Sequence, residues 1–384
     1  MNSTDKPPEQ AQGHPAVNSN GDTLPLATEY RPLLDGATPS LLTLDPELEA
    51  ARRIASDPAQ PLEERLEAYE DIFDSEVGDT SLSRARNIER ETGLRQVFLK
   101  FEGGNPSGTH KDRIAFAQAM DALRRGYDTI AVATCGNYGA AMAFAAKMAG
   151  LRCLIYVPTK FQAGRIPEME KYGAEIVRVD TDYEGSVEYS REQSEQREFY
   201  DANPGGANTA LQLKAYGEIA FEIYDELRDA PAAIAVPVSN ATTLAGIYKG
   251  FLSLYRRGKT SRMPRMVAGS SYGKNPVVQA FLKGAETCMD LKPEKIKETS
   301  VNEPLVNWHS IDGDLALQAI YATYGWAANA SDKSMVSYSK KIRESEGLSV
   351  LPASTAGLIA LVSQHATAPL PSDRYVVMLT GRKS

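Results

Sequence analysis

Short apolar runs alternate with amphipathic stretches along most of the chain. The run QVFLKFEG (Gln96 to Gly103) has the length and apolarity of a strand, and KDRIAFAQAMDALRRG has helical spacing with a glycine stop at Gly126. DTIAVAT then predicts a buried strand and YGAAMAFAAKMAG a helix ending at Gly150. RCLIYVP predicts a strand, FQAGRIPEMEKYG holds a helix, and AEIVRVD predicts another strand. SVEYSREQSEQREFY and ALQLKAYGEIAFEIYDEL predict two helices. AAIAVPV, TLAGIYKGFLSLYRRG and RMVAGSS predict strand, helix and strand, and YVVMLTG a last strand near the C-terminus. Short apolar strands separated by helices predict βαβ units and parallel sheets, so the fold class is α/β.

The N-terminal part departs from this rhythm. Residues 1–38 are rich in Pro, Gly, Asn, Asp, Ser and Thr, which predicts a disordered tail. LDPELEAARRIASDPAQPLEERLEAYEDIF, residues 44–73, predicts one or two amphipathic helices broken at Asp57-Pro58 and Pro61, candidates for an arm in a homodimer.

Composition narrows the partners. The chain of 384 residues has a net charge of -8, which argues against a nucleic-acid partner, since that would need a basic patch to displace counterions. No apolar run of about twenty residues predicts a membrane span. No basic start with an apolar stretch marks a signal peptide. Cys135, Cys153 and Cys288 lack metal-ligand spacing, and with four histidines no metal is expected. The expected setting is reduced and cytoplasmic.

Ligands of open α/β sheets bind at the carboxyl ends of the strands, so the strand-to-helix loops carry the candidate chemistry. GNPSGTHKDRIAF places Lys111 after Gly103, Gly104 and Gly108, at a helix start. Such a lysine reads as a surface charge, a phosphate ligand, or an amine held for covalent chemistry. ATCGNYGAA (Ala133 to Ala141) combines Gly136 and Gly139 with Thr134 and Asn137. It reads as a nest for a carboxylate or phosphate, or as a plain tight turn, and matches neither GxGxxG nor a P-loop. VPVSNATTLAGIYKGF crowds Ser239, Asn240, Thr242 and Thr243 at a helix start. One residue suffices for an N-cap, so four polar residues favour a phosphate-binding role over capping.

Taken in order, these loops resemble the fold-type II enzymes that use pyridoxal phosphate, and within them threonine synthase and its relatives, a group related to cysteine synthase and threonine dehydratase. The resemblance runs from Gly78 to the C-terminus. It rests on NPSGTHKDR, TCGNYGAA, VPVSNATTLAGIYKGF, SYGKNPVVQAF, EGLSVLPASTAGLIAL and VVMLTG. It implies two lobes of parallel sheets flanked by helices with the cofactor between them. Residues 39–126 and 216–384 would form the large lobe, and residues 127–215 the smaller one that closes on the substrate carboxylate. Lys111 would form the Schiff base and, once released, act as general base at the α-carbon. Asn137 would bond the cofactor's 3-oxygen. Ser239, Asn240, Ala241, Thr242 and Thr243 would hold the 5′-phosphate, and Thr380 would face the pyridine nitrogen, a neutral partner that favours elimination over transamination. Thr134, Cys135, Asn137, Tyr138, Gly139, Arg165 and Gln212 would line the substrate side, with Thr134, Cys135 and Gly139 giving hydroxyl or backbone donors to its carboxylate and Cys135 acting as a packed small residue rather than a nucleophile.

The pattern also breaks in places. Ala241 stands where the family usually has Gly, and Tyr138 where a small residue is common, lining the pocket or packing under the helix. Gln212 falls at the family's phosphate-gripping arginine, and Gly206 and Ala207 at its Asn and Ser, with Arg165 and Lys214 as nearby cations. Arg382 replaces a frequent histidine. The implied activity is a lyase or synthase acting on a short L-amino acid by β- or γ-elimination and replacement, with O-phosphohomoserine to threonine as the familiar case. Alternatives are a β-replacement synthase or amino-acid dehydratase with another leaving group, and a non-catalytic sensor, which Lys111, Asn137 and Thr380 disfavour.

Overall fold

Strands of two to seven residues, most of them apolar, form two sheets in this chain, and the helices between them cover the faces. The structure, a computed structural model, describes residues 45–134, 136–159 and 164–383. The expected tail over residues 1–38 and the candidate Cys135 lie outside the described residues.

The chain enters through α1 (Pro46–Ser56), α2 (Leu62–Glu76), β1 (Leu82–Arg84), α3 (Arg86–Thr92), β2 (Val97–Phe101) and α4 (Lys111–Arg124). It continues through β3 (Thr129–Ala133), α5 (Asn137–Met148), β4 (Arg152–Pro158), α6 (Ile166–Lys171), β5 (Glu175–Val179), α7 (Tyr183–Arg197) and β6 (Tyr200–Asp201). Next come α8 (Thr209–Leu227), β7 (Ala233–Pro237), α9 (Thr242–Arg256), β8 (Arg265–Ser271) and α10 (Pro276–Leu282). The last elements are α11 (Gly313–Ala322), β9 (Trp326–Ala330), α12 (Asp332–Glu346), α13 (Ala356–Thr367) and β10 (Tyr375–Leu379).

The larger sheet has the order β1-β2-β10-β7-β8-β9, with β1 antiparallel and the other pairs parallel. The smaller sheet, β5-β4-β3-β6, is parallel throughout. Every residue of β3, β7 and β10 is buried, which is why these strands read as unbroken apolar runs. Among the described residues no helix is long and apolar enough to cross a membrane.

Two packing features fix the helices that carry the candidate site. First, α8 and α9 approach at backbone distance, because a Cβ on Gly250 would lie 2.4 Å from the Gly217 carbonyl oxygen. Second, a buried ionic cluster ties β2, α4 and α8 together. The Arg113 guanidinium grips Glu102 at 2.7 and 2.9 Å and Glu222 at 2.6 and 2.9 Å. Lys100 pairs with Glu222 at 2.5 Å, and the Thr80 hydroxyl donates to Glu102 at 2.7 Å. The guanidinium holds the Glu102 carboxyl at about 2 against the upward push of its burial.

The helices considered as a dimer arm dock on their own chain. The Tyr69 hydroxyl donates to the Ala145 carbonyl at 3.3 Å, Arg65 donates to the Ala149 carbonyl at 2.7 Å, and Tyr69 stacks on Phe116 with ring centroids 5.7 Å apart.

Candidate active site

Lys111 is the first residue of α4, and its backbone N–H donates to the Thr109 hydroxyl at 3.3 Å. Gly108, at φ 84, makes the turn before it. The loop is stitched to the C-terminal strand end. The backbone N–H of His110 donates to the Thr380 carbonyl at 3.0 Å, the imidazole Nδ1 bonds the same oxygen at 3.0 Å, and Arg382 donates to the carbonyls of Gly103 and Pro106 at 3.2 Å each. At the loop's other end, Asp112 accepts from the backbone and hydroxyl of Ser107, both at 2.9 Å, and burial lifts its carboxyl to about 7.

The Lys111 amine lies 5.9 Å from the Tyr138 ring centre and 5.8 Å from that of Tyr216. Burial lowers the amine to about 8, while the Asp312 carboxylate pulls the other way. A free amine is therefore accessible near neutral pH, which an ordinary lysine does not offer. His110 stacks on Tyr216 at 5.3 Å, and burial, with the charge of Lys111, keeps its imidazole neutral at about 3.

The second loop supplies Asn137 and Arg165. Arg165 donates to the Asn137 side-chain oxygen at 2.8 Å and to the Ser107 carbonyl at 2.8 Å, and pairs with Glu168 at 2.6 Å. Asn137 is thereby linked to the lysine loop. Tyr138 packs under the helix: its hydroxyl, bonded by Gln118, donates to the Ala202 carbonyl at 2.8 Å, and its ring lies beside the Lys111 amine. The Gly139 N–H bonds the Gly136 carbonyl at 3.0 Å, and a Cβ there would lie 2.6 Å from Met169 Cε. In this structure Gly139 thus lets helix and side chain approach rather than offering a free donor. Thr134 is buried at the end of β3.

The third loop turns through Ala241 at φ 67 and ψ 1, so a residue with a Cβ occupies the left-handed region before α9. Thr242 and Thr243 follow, both buried at the first turn. The Thr242 hydroxyl donates to Asp312 at 2.5 Å. Ser310 donates to the Ser239 carbonyl at 3.0 Å, and Asn307 to the Asn240 side-chain oxygen at 2.5 Å. Burial raises the Asp312 carboxyl, against the bond from Thr242 and the charges of Lys249 and Lys111. Thr380 lies on the other side, its hydroxyl 3.1 Å from that of Ser354.

Gln212 is 1% exposed on α8, and neither its amide nitrogen nor its amide oxygen has a partner among the described residues. Tyr216, one turn on, has a fully buried hydroxyl that approaches Thr243 without meeting hydrogen-bond geometry. Lys214 is exposed and, two residues from Gln212, faces away from it. Cavities of about 230 Å³, between α9 and α11, and about 410 Å³, at Asp79 to Glu222, do not touch Lys111 and receive no role.

This donor set fits pyridoxal phosphate. A helix start with two buried threonine hydroxyls suits a phosphate monoester. An amine with a lowered pKa sits on the next loop. Asp312 is an acidic group placed directly against that cradle.

Comparison with known proteins agrees. The family model described as "Pyridoxal-phosphate dependent enzyme" matches residues 73–381, and the chain belongs to that family. It is similar to the threonine synthase of Methanocaldococcus jannaschii, 29% identical over 305 residues that cover 79% of this chain and 74% of the relative. Among solved structures, maize serine racemase superposes with a TM-score of 0.69 at 19% identity, covering 83% of this chain and 92% of the other. The processed form of threonine deaminase isoform 2 from Solanum lycopersicum superposes with a TM-score of 0.66 at 16% identity, covering 86% and 93%. The fold is that of the fold-type II enzymes, and the cofactor of the family is pyridoxal phosphate.

Sequence reasoning missed Tyr216, Asp312 and His110. Tyr216 had a readable signal, because it lies four residues after Gln212 on a predicted helix. Asp312 had none, since it reaches the third loop from 70 residues away.

Proposed function

We propose that this enzyme is a lyase or synthase that eliminates a β or γ substituent from a short L-amino acid and, in the replacement branch, adds a nucleophile to the product. The observation that carries the reading is the Lys111 amine, 5.9 and 5.8 Å from the Tyr138 and Tyr216 ring centres and lowered by desolvation to about 8. Lys111 would bond the cofactor. Thr242, Thr243, Ser239, Asn240 and Ala241 would hold its phosphate, Asn137 its ring oxygen and Thr380 its ring nitrogen. When bound, the cofactor supplies an electron sink for negative charge at the α-carbon. The free amine of Lys111 would take the α-proton of the substrate and would return it further along the chain. Thr134 and the loop of Asn137 would hold the substrate carboxylate, and residues 127–215 would close over it and exclude water.

The named relative supports threonine synthesis from O-phosphohomoserine as the first candidate. Gln212 favours a second, in which the leaving group carries no phosphate, because a neutral amide does not replace a guanidinium clamp. The experiment adds O-phospho-L-homoserine to the purified holoenzyme and follows free phosphate, threonine and the visible spectrum. Phosphate and threonine in equal amounts select the first candidate. A spectral response without phosphate selects the second. No response to any amino acid overturns the reading.

A further inference from the structure

We propose that Gln212 and Tyr216 read the far end of the substrate and select a neutral group that both donates and accepts a hydrogen bond, a hydroxyl or a carboxamide, over a phosphate. This rests on the reading of Lys111 as the amine that works at the substrate α-carbon.

Both side chains are buried, and three of their polar atoms, Gln212 Nε2, Gln212 Oε1 and the Tyr216 hydroxyl, lack partners among the described residues. A buried polar atom left unpaired costs about 1–3 kcal/mol, so three on one helix call for a function. Residues four apart lie about 40° from each other around a helix, on one face and one turn apart. The Tyr216 ring is 5.8 Å from the Lys111 amine, and its stack on His110 fixes its plane. Gln212 therefore sits one turn, about 6 Å, beyond the wall of the reacting amine, the reach of a side chain of a few carbons.

The chemistry of the amide sets the class. It has a donor edge and an acceptor edge, and phosphate oxygens near neutral pH mainly accept. A phosphate would satisfy Nε2 and leave Oε1 facing lone pairs. A hydroxyl or carboxamide satisfies both. The charges around the site lean the same way. Arg165 is committed to Glu168, Asn137 and Ser107, and the Glu303 carboxylate lies 3.8 Å from where a Cβ on Gly136 would stand.

The test is a spectral titration of the holoenzyme with L-threonine, L-serine, L-homoserine and L-asparagine, with O-phospho-L-serine and O-phospho-L-homoserine, and with L-alanine as a ligand that lacks an end group. The wild type should bind the neutral polar ligands about tenfold more tightly than the phosphorylated ones, the scale of one or two hydrogen bonds. Gln212→Leu should lose that advantage and leave the Kd for alanine unchanged, and Gln212→Arg should turn the preference toward phosphate. Tyr216→Phe gives an independent arm if Gln212→Leu does not fold. Tighter binding of the phosphorylated ligands by the wild type overturns the proposal. So does an equal loss for alanine and threonine in the variants, which would make Gln212 a packing residue bonded to internal water. Silence toward every amino acid, with the cofactor bound, removes the amino-acid reading itself.

Discussion

The Thr242 hydroxyl donates to the Asp312 carboxylate at 2.5 Å, across 70 residues of sequence, and the charge of that carboxylate is felt at Lys111. Asp312 thus contacts the Thr242 side of the proposed cofactor cradle and acts on Lys111 through its charge. Its backbone N–H is fixed by the Asn240 carbonyl at 3.1 Å. A phosphate and an ionised carboxylate compete for the same hydroxyl, whereas a protonated carboxyl can donate to the phosphate. Asp312→Asn should therefore tighten binding of pyridoxine 5′-phosphate, which has no aldehyde and so isolates the phosphate contacts. The gain over wild type should shrink as pH falls and Asp312 takes up its own proton. Equal affinities at every pH would remove Asp312 from the cradle.

Lys111 makes a kinetic prediction. Only the unprotonated amine attacks an aldehyde, and burial has lowered this amine to about 8. The rate of cofactor attachment to the apoenzyme should rise with pH and level off above about 8, well below the 10.5 of an unperturbed lysine. Asp312→Asn should move the midpoint lower, since the carboxylate favours the charged amine. Lys111→Ala should abolish both the visible absorbance of the attached cofactor and turnover while the chain stays folded. A midpoint near 10 would contradict the burial on which the assignment rests.

Ala241 makes a stability prediction. At φ 67 its Cβ crowds the following carbonyl, at about 1–2 kcal/mol. Glycine relieves this but adds freedom to the unfolded chain. Ala241→Gly should therefore gain up to about 1 kcal/mol in denaturant unfolding of the apoenzyme. A loss of similar size would show that the methyl group packs more usefully than the strain costs.

The sequence revealed most of this fold where strands are fully buried. DTIAVAT, AAIAVPV and YVVMLTG became β3, β7 and β10, whose residues are all covered and so cannot alternate with polar ones. What stayed hidden lacks that signature. β1 is three residues of mixed exposure, β6 is two residues long, and β9 reads WAANA with two residues only half-buried. The loops were legible because each couples glycines or hydroxyls to a helix start, and Lys111 and Thr242 both open helices. Asp312 and His110 were not, because their roles come from contacts with Thr242 and Thr380 that no local pattern encodes.

The ionic cluster behind Lys111 makes the last prediction. Arg113 is two residues past Lys111 and satisfies two carboxylates, one of them, Glu102, fully buried. Removing one partner of such a pair leaves an uncompensated charge and costs about 3–5 kcal/mol. Arg113→Leu should lose stability on that scale at pH 7. The pH dependence separates charge from packing. In the wild type the Glu102 carboxyl is held at about 2, below its ordinary 4.5, so its contribution is complete above pH 4.5 and is lost as pH falls toward 2. In the variant, protonating Glu102 removes the charge that leucine cannot pair, so acid relieves the defect. The stability gap should therefore narrow between pH 7 and pH 3 in equilibrium unfolding. A gap that stays constant would mean that the loss is one of packing, and that the lysine loop is held by shape rather than by charge.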